Sequence, residues 1–227
     1  MSKSKLNPKF RRNSHGQNNL LLATVGLLLV VFVGAIWLSL AKQPEENNQG
    51  WSSTSSDLAA HIDLLTKEIS DLQSVLEEDP SNKEAMVALA NNQYDVGAIY
   101  LFELEQEPEG TSWFNRAVES YQKALQREPE NIEARVDMAT AAFYAGQNEL
   151  ARANFEQAIA QNPAYANARL NYGVFLFHSA GDYQGAIAQW EEVLKLDVDK
   201  DTLEHTRNLL EQVKGLMTQQ STEEGKS

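Results

Sequence analysis

A repeat constrains this chain more than any other feature. Pro129 and Pro163 stand 34 residues apart, and small and aromatic residues recur around them at helical spacing. The set Ala117, Tyr121, Ala124 returns as Ala151, Phe155, Ala158 and again as Ala186, Trp190, Val193. Between the prolines the chain reads as two short helices, over about 132–145 and 149–161, with Gly146 at the break. Glycine closes a helix in the left-handed conformation, and proline cannot continue one. Small residues (Ala139, Ala151, Ala158) fall where two helices approach closely, and Met138, Phe143, Phe155 and Ile159 supply a core. A period of this size specifies an all-α solenoid, because no single unit can bury its apolar face alone.

These residues resemble the tetratricopeptide repeat family. The small residue of the family's first helix corresponds to Ala90, Ala139 and Gly173, its turn glycine to Gly97, Gly146 and Gly181, and its closing proline to Pro80, Pro129 and Pro163. The resemblance spans about 83–198 and implies roughly three helix-turn-helix repeats with flanking capping helices. Two departures stand out. The first repeat carries about fifteen extra residues between Gly97 and Ala117, read as a lengthened hairpin in which Trp113 and Phe114 start the second helix. The third has an extra residue in its turn, at Gly181, and ends in Val198 rather than proline.

Charge divides the chain. The first 41 residues carry five basic residues and no acid, whereas the remainder has 14 basic against 32 acidic residues, or −18. A body so acidic is unsuited to nucleic acid, whose phosphates need clustered Lys and Arg. Cysteine is absent, which removes disulfides, thiolate metal sites and cysteine nucleophiles together.

Residues 1–19 form a polar, basic tail with Lys3, Lys5, Lys9, Arg11 and Arg12. Residues 20–41 are 22 uncharged positions. As a helix they span about 33 Å, enough for a hydrocarbon core of roughly 30 Å. The preceding charges place the N-terminus in the cytoplasm and the rest outside, in a single pass through a plasma membrane, with no Asn-x-Ser/Thr sequon and hence a bacterial character. The alternative is a signal peptide cleaved after Ala41, but the apolar run exceeds the usual length of such peptides. Residues 42–56 read as a flexible linker by composition.

Over 57–79, Leu58, Leu65 and Leu72 recur every seven residues, interleaved with Ile62, Ile69 and Leu76. This heptad pattern suits either a coiled-coil stalk that dimerises the protein or a helix capping the first repeat. Pro80, standing where Pro129 and Pro163 stand, favours the cap. Residues 199–218 read as a C-terminal capping helix and 219–227 as a disordered tail.

By the family resemblance, the first helix of each repeat lines a concave groove. Its facing residues are Val87, Asn91, Tyr94 and Asp95, then Val136, Thr140, Phe143 and Tyr144, then Leu170, Val174, Phe177 and His178. Such a groove suits a peptide or helix with apolar anchors. Some relatives clamp a terminal carboxylate with paired lysines and asparagines. Only Asn91 matches that arrangement, which points away from a chaperone-tail clamp. His178, with no second ligand at metal spacing, is not a metal site, and the acidic run 103–109 lacks the ligand series of a calcium loop. No nucleophile elbow, zinc motif or phosphate loop is present. The sequence therefore predicts a membrane-anchored, non-catalytic adaptor or scaffold without cofactors, binding a protein partner of the cell envelope. A self-associating homodimer through 57–79 is the alternative.

Overall fold

A computed structural model describes residues 55–224, with side chains over 56–218. The basic tail, the apolar segment 20–41, most of the 42–56 linker and residues 225–227 lie outside the described residues. Among those described there are eight α-helices and no strand, and no helix is long and apolar enough to cross a membrane. The order is α1 (Ser55–Glu78), α2 (Lys83–Ala98), a π-helical turn (Ile99–Glu103), α3 (Glu107–Arg127), α4 (Ile132–Tyr144), α5 (Asn148–Gln161), α6 (Ala166–His178), α7 (Tyr183–Val193) and α8 (Lys200–Glu224).

Local chemistry sets the boundaries. Asn82 and Asn131 cap α2 and α4, each side-chain oxygen accepting from the N–H three residues on at 2.9 and 3.0 Å. An unsatisfied N–H of the first turn is thereby paired, worth about 1 kcal/mol per cap. Asp182 caps α7 in the same way through the Gly185 N–H. Gly146 and Gly181 take φ of 75° and 61°, the left-handed conformation that ends α4 and α6 at low cost. Gly97 behaves differently from expectation. It lies inside α2 rather than at a turn, and a methyl there would meet the Gly110 carbonyl and the Phe114 ring at 3.2 Å. This glycine, with Gly110 opposite, lets α2 and α3 cross closely.

The extra residues of the first repeat are mostly helical. After Ala98 the chain widens into one π turn, closed by Leu104 N–H donating to Ile99 O at 3.0 Å. It reverses at Glu105 (φ 53°) and enters α3 at Glu107, with Pro108 in the first turn. α3 has 21 residues against 14 in α5, so Trp113 and Phe114 fall inside the helix rather than at its start. Glu107 and Glu109 occupy its first turn, where carboxylates complement the helix dipole.

Three helix pairs, α2/α3, α4/α5 and α6/α7, stack in succession, each second helix packing on the next repeat's first. Small-to-large matching holds each pair together. Ala90, Ala139 and Gly173 are buried on the first helices, and Tyr121, Phe155 and Trp190 are essentially buried on the second. In the third pair the approach is close: a methyl on Gly173 would fall 2.2 Å from Trp190 Nε1. That indole N–H donates to Leu170 O at 3.1 Å. Arginine supplies a second repeated device. Arg135 is buried and its guanidinium donates to Gln161, Asn154, Gln157 and the Pro129 carbonyl. Thirty-four positions on, Arg169 donates to the Pro163 carbonyl and Gln189. Each arginine ties the loop that enters its repeat to the repeat's second helix.

The ends are closed by helices. α1 lays Leu65 and Ile69, both buried, against Leu89, Val96 and Ile99, with Leu58, Ile62, Leu72 and Leu76 around them. The heptad residues of 57–79 thus pack on the first repeat, the arrangement of a capping helix, and nothing in the described residues supports a coiled coil. Ser56 and Asp57 are helical, in a helix described from Ser55. At the other end Thr206, Leu209, Leu210 and Val213 of α8 are buried. That helix runs to Glu224, past the expected end at 218.

Candidate functional site

The first helices adjoin one another directly, α2 to α4 and α4 to α6, in addition to packing on their own partners. Elements on the inner side of a curved stack approach most closely, so these helices line the concave face. Aromatic rings bridge them. Tyr94 of α2 meets Phe114 at 5.2 Å and Tyr144 of α4 at 6.4 Å, while Tyr144 meets Phe102 and Phe114 at 5.1 Å. Phe143 stacks on Tyr144 at 4.7 Å and meets Phe175 edge-on at 5.7 Å. Pairs of this kind contribute about 0.5–1.5 kcal/mol beyond their buried area, so the inner layer is a rigid strip.

The expected groove residues separate into three groups. Asn91, Tyr94, Phe143, Tyr144, Val174 and His178 are half-buried, each keeping some surface in water. Thr140 is buried, its hydroxyl donating to Val136 O at 2.9 Å and accepting from Asn171 of α6 at 3.3 Å. Phe177 is 8 % exposed and packs on Tyr183 and Trp190, so it belongs to the core between α6 and α7 rather than to a groove wall. Val136 and Leu170 are likewise buried. Asn91 spends its side-chain oxygen accepting from the Tyr121 hydroxyl at 2.7 Å.

Electrostatics mark the centre of this face. Asp137, one helical turn before Ala141 on α4, is half-buried. Burial, then the neighbouring carboxylates of Glu133 and Asp95, push its pKa up to about 7. Asp95 on α2 remains exposed, yet its pKa rises to about 6, again through burial, with His61 of α1 partly offsetting the rise. In both cases nearby protein replaces part of the water around the carboxyl and so favours its neutral form. Tyr94 and Tyr144 share this setting: burial raises both phenols, Tyr144 to about 12. His178 is pushed down by burial, which favours its neutral imidazole. Tyr165, just before α6, completes the lining and is itself raised by burial and by Glu133 and Asp137.

Asp137, Glu133 and Tyr165 escape a reading of the sequence. In a chain with 32 acids, one more carboxylate carries no signal. Its one distinguishing mark is position, two residues before the small residue Ala139 on a first helix. Among the described residues no group of three or more His, Cys, Asp or Glu side chains could hold a metal ion. The acidic run 103–109 stays on the surface, with Glu103, Glu105, Glu107 and Glu109 all exposed.

Residues 136–198 match the profile of the tetratricopeptide repeat. No curated protein matches the chain. Among solved structures, the crystal structure of MamA protein is similar over 71 % of this chain and 85 % of its own, at 23 % identity and a TM-score of 0.51. The first TPR of Spaghetti, bound to an HSP90 peptide, is similar at 22 % identity over 57 % and 93 %, with a TM-score of 0.41. YrrB, a TPR protein with an unusual peptide-binding site, is similar at 18 % identity over 67 % and 88 %, with a TM-score of 0.38. The matched segment and the stacked helix pairs together make the described part of this chain a tetratricopeptide-type helical solenoid.

Proposed function

We propose that this protein is a membrane-anchored adaptor whose concave face holds a peptide or helix of another protein of the cell envelope, without catalysis. One observation carries the reading. The inner helices present half-buried aromatic and polar side chains, Tyr94, Tyr144, Asp137 and Asn171, on a strip stiffened by inter-repeat ring contacts. A surface already ordered in the free state loses little entropy when an extended segment binds. The apolar segment 20–41 and the charge step beside it support the anchor, with the solenoid on the far side of the membrane. The alternative, self-association through 57–79, has less to support it, since Leu65 and Ile69 face the first repeat.

The test is a photo-crosslinking amino acid placed at Asp95 in the full chain in its native membrane, with mass spectrometry of the products. The adaptor reading expects one dominant envelope protein, captured through a defined segment. Crosslinks to a second copy alone would favour self-association. Absence of any product from a well-expressed protein would remove the concave face as the working surface.

A further inference from the structure

We propose that copies of this protein join head to tail, α8 of one copy completing a helix pair with α1 of the next. This goes beyond the adaptor reading and does not use the concave face. Each end of the solenoid is half a repeat. Aligning Pro80 with Pro129 and Pro163 puts Glu68, Leu72 and Val75 of α1 where α3 carries Ala117, Tyr121 and Ala124 and α5 carries Ala151, Phe155 and Ala158. Those two triplets are buried in their own pairs. Among the described residues α1 has no first helix of its own, and Leu72 stays half-buried while Val75 is 41 % exposed. Val75 and Leu64, about three turns apart on one stripe of α1, are the exposed large hydrophobic residues among those described. At the other end α8 is a first helix without a second. Its buried Thr206, Leu209 and Leu210 repeat Tyr172, Phe175 and Leu176 of α6 at the 34-residue period.

Charge matches the two halves. The period sets Arg207 in the place of Ala139 and Gly173, exposed and, among the described residues, without an ion pair. In the third pair this place lies against Trp190, whose counterpart on α1 is Leu72. Arg207 thus meets Leu72 of the second copy, flanked by Glu68 and Asp71. Glu68 accepts from Asn92 through one oxygen and keeps the other, and Asp71 pairs with Lys67 at the surface. Lys200 and Lys214 stand seven residues to either side of Arg207, on the same stripe of α8, with Glu204 and Glu211 beside it. Paired helices of a hairpin run antiparallel, so Lys200 comes to the acidic end of α1, at Glu77 and Glu78. α1 carries six acids against one base, while α8 through Thr218 carries three of each. Pairing α1 with a second α1 would oppose like charges, which selects α8 as its partner. Leu203 stands at the place of Arg135 and Arg169, which reach Gln157 and Gln189 of their second helices, and so lies close to Val75 of the second copy. Arg207 and Glu68 are bulkier than the small residues they replace, so the joint is wider and weaker than an internal pair. Its two surfaces differ, and the contact therefore repeats from copy to copy instead of closing on itself.

The experiment introduces cysteines into the full-length chain, which has none of its own, and joins them with a short bismaleimide in native membranes. Products are read by denaturing electrophoresis and immunoblotting. Chains carrying both Val75→Cys and Leu203→Cys should give a ladder of multimers, and co-expressed copies carrying one each should give pairs. Chains with Val75→Cys and Glu130→Cys, an exposed loop position, report chance encounters and should give no ladder. Arg207→Glu or Glu68→Arg alone should cut the joined fraction about fivefold or more, and the two together should restore it by exchanging the charges. No ladder, a ladder equal to the Glu130→Cys control, or one indifferent to Arg207→Glu would overturn the joint. Pairs formed by Val75→Cys alone would replace it with α1 packing on α1. Capture of a different protein at Val75, without the ladder, would give the end of α1 to another partner and also refute it. Crosslinking from Asp95 reads the concave face, so either reading can fail while the other stands.

Discussion

Replacing Asp137 by asparagine should make this protein more stable at pH 8, not less. The carboxyl ionises near pH 4 in an unfolded chain, but in the fold it does so only at about 7. Between those values the native state holds a proton the unfolded state has released, so stability falls as pH rises, and levels off above about 7. The ceiling on the loss is set by a proton-affinity ratio of roughly a thousandfold, about 4 kcal/mol at 1.36 kcal/mol per tenfold. Solvent contact at the open side of Asp137 screens part of this, leaving about 1–3 kcal/mol. Asparagine keeps the shape and removes the charge. Urea unfolding of the full chain in nonionic detergent, followed by far-UV circular dichroism, measures it. At pH 8 Asp137→Asn should raise the unfolding free energy by that amount. At pH 4.5 the two proteins should nearly coincide, and the wild-type decline between pH 4.5 and 7.5 should flatten in the variant. Equal or lower stability of the variant at pH 8 would refute the argument, because it would mean the carboxylate has a partner in the free protein.

Other expectations follow from single contacts. Gly173→Ala places a methyl 2.2 Å from Trp190 Nε1 and should cost about 2–3 kcal/mol by overpacking, read as a lower thermal midpoint. Arg135→Met removes the donor shared by Asn154, Gln157, Gln161 and the Pro129 carbonyl, of which the carbonyl keeps Gln161 Nε2, and should cost about 1–3 kcal/mol. Arg169→Met, which breaks two bonds at a half-buried site, should cost less in the same urea titration. Ile69→Ala should lower stability by about 2–4 kcal/mol through the cavity between α1 and α2. Sedimentation should show its association state unchanged, and loss of a dimer would instead restore the stalk. Gly146→Ala, at φ 75°, should cost about 1 kcal/mol without disturbing the repeats.

What could be read from the sequence is what local chemistry decides. The period, the helix pairs and the turn glycines Gly146 and Gly181 are each fixed within a few residues of themselves. Gly97 shows the limit. It shares the repeat position of the turn glycines, but the fifteen-residue insertion continues its helix, and the glycine serves a crossing with Gly110, thirteen residues away. The insertion itself carried helix-start chemistry, Glu-Pro-Glu in a first turn, which the density of charge disguised as a loop. Phe177 was placed in the groove by its repeat position, yet the large Trp190 behind the small Gly173 draws it into the core. Asp137 depended on curvature, which no local window contains.

The same curvature explains why a costly carboxylate can persist. Along the inner helices, neighbouring repeats come close enough to bury Thr140 and to bring Tyr94 and Tyr144 into ring contact, but not to supply every side chain with a partner. Polar side chains there either bond across the repeats, as Asn171 does to Thr140, or stay open to the groove. Filling the position with an apolar residue would stabilise the free solenoid and close the face. Keeping a partly desolvated acid there costs stability, because burial favours the neutral carboxyl over the charged one.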